Sequence, residues 1–417
     1  MSSINQIAII RNGKTFSPFY FYNSFLQSVA GFYNENHKSD EMLSFSLTDE
    51  EDGFTGRYRI DPISIPLLLS FSYLMQQYHG GPVPLKIINM PATNGLLKFL
   101  YMSNFFHIVG TNENPVFPLG RNLLSFDKDF LGGFDGRSIR QEHKVRCYSL
   151  NDENVEEIYR ANRNNEDRAR DLLIEHYSYS VVQHFQTLLQ EFASDNVLFR
   201  FYIDVLSELI TNGVLHSGSD VFALMFSDHY STKFSISDNG IGLGESLNKE
   251  GKQYTNKYEF SRIIRTKYNW PNNNESLNAL LSIFEAFYYS IIKSRTGLFD
   301  LLISVVYDYH GYFRIHNDCS QVIISPRLIE IIKQLKDVRD KIRYFYVKKN
   351  MEKYNNNSNN KLTNDNEYTQ LVQGSMNLLV SLFGQVWEGY TQDTRYSAVR
   401  FFPVVFKGVH IEVEISK

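Results

Sequence analysis

Three polar residues, Glu208, Asn212 and His216, recur at intervals of four along the helix-patterned stretch 197–215 and just past its end. A helix places residues four apart on one face, so the three interrupt an otherwise apolar cylinder together. Burying such groups without partners is costly. The face therefore has two outcomes: it is solvated, or it looks into a polar pocket. The segment Ile236-Ser237-Asp238-Asn239-Gly240-Ile241-Gly242-Leu243-Gly244 bears on the choice. It follows a strand-like alternation and sets a carboxylate at a strand end, beside glycines where a flat ligand can approach the backbone closely. Each segment alone is commonplace. A helix bearing E-x-x-x-N-x-x-x-H, two strands, and then D-x-G-x-G beginning 22 residues after the histidine is a rarer conjunction, and it favours the pocket.

The surrounding pattern is α/β (α+β). Residues 1–125 read as a small unit of alternating strands (7–10, 58–60, 85–89) and amphipathic helices (64–78, 93–101), which implies parallel pairing with helices packed on the sheet. Residues 126–165 read as a polar connection with a strand candidate at 144–148. From 166 to 417 the pattern runs helix, helix, strands at 221–226 and 233–237, a Gly-, Asn- and Lys-rich stretch at 245–274 expected to be a flexible loop, helices at 277–293 and 298–309, and a strand at 312–316. A helical insertion over about 326–395 carries the Asn-rich run 355–366, whose composition predicts a disordered tip. The end reads as a hairpin, 398–406 and 409–415, around Lys407-Gly408.

Bulk properties narrow the function classes. A net charge of −4 and a pI near 6.3 weigh against a phosphate-tracking basic surface and so against nucleic acid as main partner. No apolar run is long enough to span a bilayer, and the first residues lack a signal-peptide pattern. The two cysteines, Cys147 and Cys319, have no metal-binding spacing and are expected to be plain thiols in a reducing, cytoplasmic compartment.

The two segments together resemble the ATP-binding domain of the GHKL superfamily (DNA gyrase, histidine kinases, MutL and the anti-sigma-factor kinases). The likeness covers roughly 168–318 and implies an α/β sandwich, a mixed sheet backed by helices. By that resemblance Asn212 helps to hold Mg²⁺, Glu208 polarises the attacking water or hydroxyl, and Asp238 accepts a hydrogen bond from the exocyclic amine of adenine, with Gly240 and Gly242 shaping the pocket. The physical logic agrees: Mg²⁺ takes few protein oxygens and completes its shell from phosphate and water, and a glutamate one helical turn away suits a positioning base. Ser294-Arg295-Thr296-Gly297-Leu298 stands where the family has its later glycine box, with one glycine in place of two or more. Amides at that helix start are expected to cradle phosphate, assisted by Arg295 or Thr296 beside Gly297. The lid would be 244–296, with Lys249 or Lys252 near phosphate.

Residues 60–64 (Ile-Asp-Pro-Ile-Ser), 85–89 and 96–106 are similar to STAS domains, the module of anti-anti-sigma factors. That family's phosphate-accepting position is occupied by Ile63, with Ser64 one residue on, so a docking or sensing role is expected. Three functions stay open: an ATPase acting as a nucleotide-controlled switch on a protein partner, an anti-sigma-type serine/threonine kinase, and a silent ATP-binding module. A homodimer is compatible with each.

Overall fold

The computed structural model describes residues 6–35, 43–49, 56–110, 120–134, 143–192, 195–250, 258–354 and 361–417. Its first strands are β1 (Gln6–Ile10), β2 (Thr15–Phe16), β3 (Ser44–Thr48), β4 (Arg59–Ile60), β5 (Val83–Lys86) and β6 (Leu124–Ser125). Between them lie helices α1 (Pro18–Tyr20), α2 (Leu26–Glu35), α3 (Ser64–His79), α4 (Pro91–Met102) and α5 (Phe105–Val109). Next come β7 (Arg146–Tyr148), α6 (Glu153–Ala161), α7 (Glu166–Phe192), α8 (Asn196–Ser217), β8 (Val221–Ser227) and β9 (Ser231–Asp238). Helices α9 (Gly242–Glu250), α10 (Glu259–Tyr268), α11 (Glu275–Ile292) and α12 (Leu298–Ile303) lead into β10 (Tyr312–Asn317) and β11 (Ser320–Ile324). The chain closes with α13 (Ile329–Tyr354), α14 (Lys361–Glu388), β12 (Val399–Phe401) and β13 (Val409–Ser416).

The expected combination of helices with parallel and antiparallel strands is present, sorted by sheet. β1, β3, β5 and β6 pair in that order, all parallel, as a strand–helix alternation requires. The larger sheet runs β12-β11-β10-β13-β9-β8-β7 and is antiparallel throughout. β7, from the segment read as a connection, forms its edge. Within this sheet the pairing is thus of one kind rather than mixed.

Period-two alternation gives the large sheet two different faces. Phe234, Ile236, Phe313, Ile315, Ile411 and Val413 join Leu206, Ile210 and Val214 of α8 and the buried side of α11 in one core. On the other face Phe222, Leu224, Phe402 and Phe406 join the N-terminal core around Phe21, Phe25 and Phe71. Between those apolar ends that second face is polar. Ser235, Ser237, His316, His410 and Glu412 are all buried there, and Tyr22 stacks on His316 with ring centroids 3.9 Å apart.

Three expectations are corrected. The last two strands are not a hairpin: β12 pairs with β11 at the sheet edge, whereas β13 enters between β9 and β10. The stretch expected to be loop is largely helical where described, because Phe260 and Ile264, four apart, bury one face of α10. Residues 251–257, Lys252 among them, lie outside the described residues, as do 355–360 of the Asn-rich run. The rest of that run, from Lys361, is the start of α14 rather than a loop tip; the helix extends back from a segment anchored by buried Met376, Leu379, Leu382 and Phe383. Cys147 and Cys319 are free and buried, as expected. Among the described residues no helix is long and apolar enough to cross a membrane.

Gly408 shows how tightly β13 is held. Its φ is +108°, and a Cβ there would lie 2.1 Å from the carbonyl oxygen of Asp238. Both the dihedral and the contact exclude a side chain. Gly408→Ala should lower the unfolding free energy by roughly 2 kcal/mol or more, measured by urea denaturation. An unchanged midpoint would contradict this packing.

Candidate functional site

Helix α8 begins at Asp195, whose Oδ1 accepts from Leu198 N at 2.8 Å, and ends at Gly218 in the left-handed region. Capped at both ends and buried along one side, it points Glu208, Asn212 and His216 into a cavity of about 1040 Å³ of atom-free space, counted to its open mouth. Asp238 and Gly242 line the same cavity, as do Arg295, Thr296 and Gly297. Gly240 does not line it. Its N–H donates to Asp238 Oδ1 at 2.7 Å and so holds the carboxylate in place.

The floor is built from Leu209, Ile236, Ile241, Leu243, Leu247 and Ile411, with the charged groups at its sides. Asp238 receives a second, longer bond on Oδ1 from Val409 N at 3.4 Å, which leaves acceptor capacity on its other oxygen for a ligand. Burial pushes its pKa up to about 6, against the lowering effect of the Gly240 and Val409 amides and His216; nearby Asp318 pushes it further up. Asp318, beneath Gly242, is likewise raised by burial to about 6. The turn after Asp238 is pinned by Asn317, which accepts from Leu243 N at 2.9 Å and donates to Ala279 O at 3.1 Å.

In the cavity wall a cation bridges two of these helix residues. Arg170 of α7 donates through Nη2 to Glu208 Oε1 at 2.9 Å and to Asn212 Oδ1. Asn212 Nδ2 donates to the same Glu208 oxygen at 3.4 Å, which fixes the amide with its oxygen towards the guanidinium. Two oxygens thus converge on positive charge, a donor set that suits a hard cation such as Mg²⁺. Arg170 left no signal in the sequence, since it lies 38 residues before Glu208 and outside any motif. Lys293 and Tyr289, also in the wall, were missed because the helix 277–293 was read only as an apolar element.

The segment 293–297 lines the cavity through Lys293, Arg295, Thr296 and Gly297. The N–H of Gly297 donates to Asp300 Oδ2 at 2.8 Å, and that of Phe299 to Ser290 Oγ at 3.0 Å. These two amides are therefore engaged within the chain, and side chains in the same wall can also meet an anion. Lys293, Arg295, Thr296 and Arg170 are the candidates; Arg295 is ion-paired to Asp171 at 2.6 Å. The span 244–296 is not one lid, because α11 is a core helix with Leu280, Ile283, Phe284 and Phe287 buried. Lys249 lines a second cavity, larger and more polar, that shares Arg170, Glu208, His216, Tyr289, Lys293 and Arg295 with the first.

Compared with known proteins, the chain matches no family model, no curated protein and no solved structure.

The raised Asp238 pKa has a testable sign. Ionisation is disfavoured in the fold relative to an unfolded carboxyl near 3.9, so this group's contribution is present below that value and is lost as pH rises through about 6. In urea denaturation of ligand-free protein between about pH 4 and pH 7, Asp238→Asn should lose less stability across the window than the parent chain. Parallel pH profiles would show that the carboxyl is not perturbed.

Proposed function

We propose that this chain binds an adenine nucleotide with Mg²⁺ in the cavity beside α8 and hydrolyses it, as a GHKL-type ATPase preceded by a STAS-like unit. The observation that carries the reading is the meeting of Glu208, Asn212 and Asp238 in the lining of one cleft, together with the cations Arg170, Lys293 and Arg295. An adenine edge against Asp238 has an acceptor for its amine and, above Ile236 and Ile411, an apolar floor for its ring. The phosphates then point towards Lys293, Arg295 and Arg170.

Asn212, with phosphate oxygens, would hold the metal ion, which when bound offsets phosphate charge. Glu208 is the base that orients a water and takes its proton as the terminal phosphoryl group transfers. While Arg170 is bonded to Glu208 and Asn212, both are occupied; nucleotide has to draw that guanidinium towards phosphate to release them. This gives the switch a physical basis, since ATP and ADP differ in the phosphate that competes for Arg170.

The output would pass to the N-terminal unit. Asn239, next to Asp238, donates to the carbonyl of Ser70 on α3, and Lys233 of β9 lies 3.3 Å from Asp61. Ser64 is fully buried, and its hydroxyl donates to Phe16 O at 3.2 Å. That favours docking or sensing over phosphorylation at this serine. A second reading, phosphotransfer to a partner hydroxyl, is favoured by the second cavity, which opens beside Glu208 and leaves room for a further substrate.

Titration with Mg·ATP, Mg·ADP and Mg·GTP tests binding, with adenine nucleotides expected to saturate and GTP not. Asp238→Asn should weaken ATP binding at least tenfold, because an amide can present a donor to the adenine amine. Glu208→Ala should keep the ATP affinity within a few-fold and reduce phosphate release by at least a hundredfold. Turnover equal to the parent chain would remove Glu208 as the base. Label from ATP arriving on a co-purified protein, with no free phosphate, would select the kinase reading.

A further inference from the structure

Among the described residues, Arg339 is one of the largest side chains with essentially no solvent exposure. It stands on α13, in the stretch read from sequence as a charged helical insertion, and belongs to no motif. Its guanidinium has five N–H donors, and each has an acceptor. Nη1 donates to Ile291 O at 2.9 Å and to Lys293 O. Nη2 donates to Arg295 O and to Asp300 Oδ2 at 3.2 Å, and Nε to Asp300 Oδ1 at 3.2 Å. Asp300, buried as well, holds the Gly297 N–H with the oxygen it shares with Nη2. One guanidinium and one carboxylate therefore fix the backbone of the segment 291–297 at four points, and that segment carries Lys293, Arg295 and Thr296 into the cavity.

We propose that Arg339 is a positioning residue: through the Asp300 pair it sets the conformation of the 293–297 segment, and so the insertion helix α13 makes the cavity's anion-facing wall. The chemistry requires this residue type. Three carbonyls and a carboxylate converge from several directions on one planar fork, whereas a lysine ammonium has three donors at one point and would leave carbonyls without a partner. The segment has one glycine and no regular structure, so its shape has to be imposed from outside. Arg343 reinforces the arrangement from the half-buried side, 3.0 Å from Asp300 Oδ1.

The proposal rests on the nucleotide reading for its ligand measurement, but not for its structural one. In the full chain, Arg339→Lys should leave adenosine affinity within about twofold while weakening Mg·ATP at least tenfold, because the base end of the cavity is untouched. Amide hydrogen exchange at 293–297 should rise at least tenfold in the same variant, with or without nucleotide. Arg343→Gln, on the more accessible side of Asp300, should show both effects in weaker form with the fold intact, and it decides the matter if the Arg339 variant does not fold. A folded Arg339→Lys, or failing that Arg343→Gln, with the parent chain's ATP-to-adenosine preference and segment protection would overturn the proposal. If the parent chain binds neither adenosine nor ATP, the nucleotide reading fails by itself, and the exchange comparison still tests the clamp.

Discussion

The pairing of β13 between β9 and β10 is the constraint from which the site follows. That strand continues the ladder on both sides, with His410 opposite Ser237 on one edge and His316 on the other. It brings Val409 N to the Asp238 carboxylate and Gly408 against the Asp238 carbonyl. It also supplies Ile411 to the cavity floor. Removing it would leave Asp238 at the end of an edge strand, with one amide fewer and no wall behind it. The carboxylate's burial, and the pKa that burial raises, are thus consequences of strand order.

The charged part of the cavity wall obeys a different rule. There the chain gathers charge: Arg170 between Glu208 and Asn212 and Arg295 beside Asp171 line the cavity, and Arg339 and Arg343 around Asp300 stand behind the segment that carries Arg295. Bidentate and forked contacts of this kind define geometry as well as lowering energy. The cavity wall thus combines an apolar surface, a hydrogen-bonded carboxylate and paired cations.

What the sequence made legible was local. The interval of four in Glu208, Asn212 and His216, and the Asp-x-Gly-x-Gly at a strand end, are patterns contained in a few turns of chain, and the structure gathers all but Gly240 of their named residues around one space. Strand–Gly–strand near the C-terminus looked like a hairpin because local alternation cannot say which partner a strand takes; the partners of β13 lie far back in the chain. Composition misled for α10, where Asn and Lys masked a short apolar stripe. Arg170 and Arg339 were illegible for the same reason as each other. A charged residue on a helix is usually solvated, and only tertiary packing places these two among acceptors 38 to 48 residues away.

Because β13 completes a sheet begun by β9, the cavity depends on a contact that spans 171 residues of chain. Synthesis proceeds from the N-terminus, so β8 with β9 and β10 with β11 emerge as two separate ladders, each with an open edge facing the gap. Until β13 leaves the ribosome those edges are exposed to any extended segment nearby, and the half-built cleft lacks Val409 and Ile411. High sequence separation of this kind slows folding. For this chain it also means that a product ending before β13 lacks two of the residues that line the pocket, so the full lining is assembled only once translation has passed Ile411.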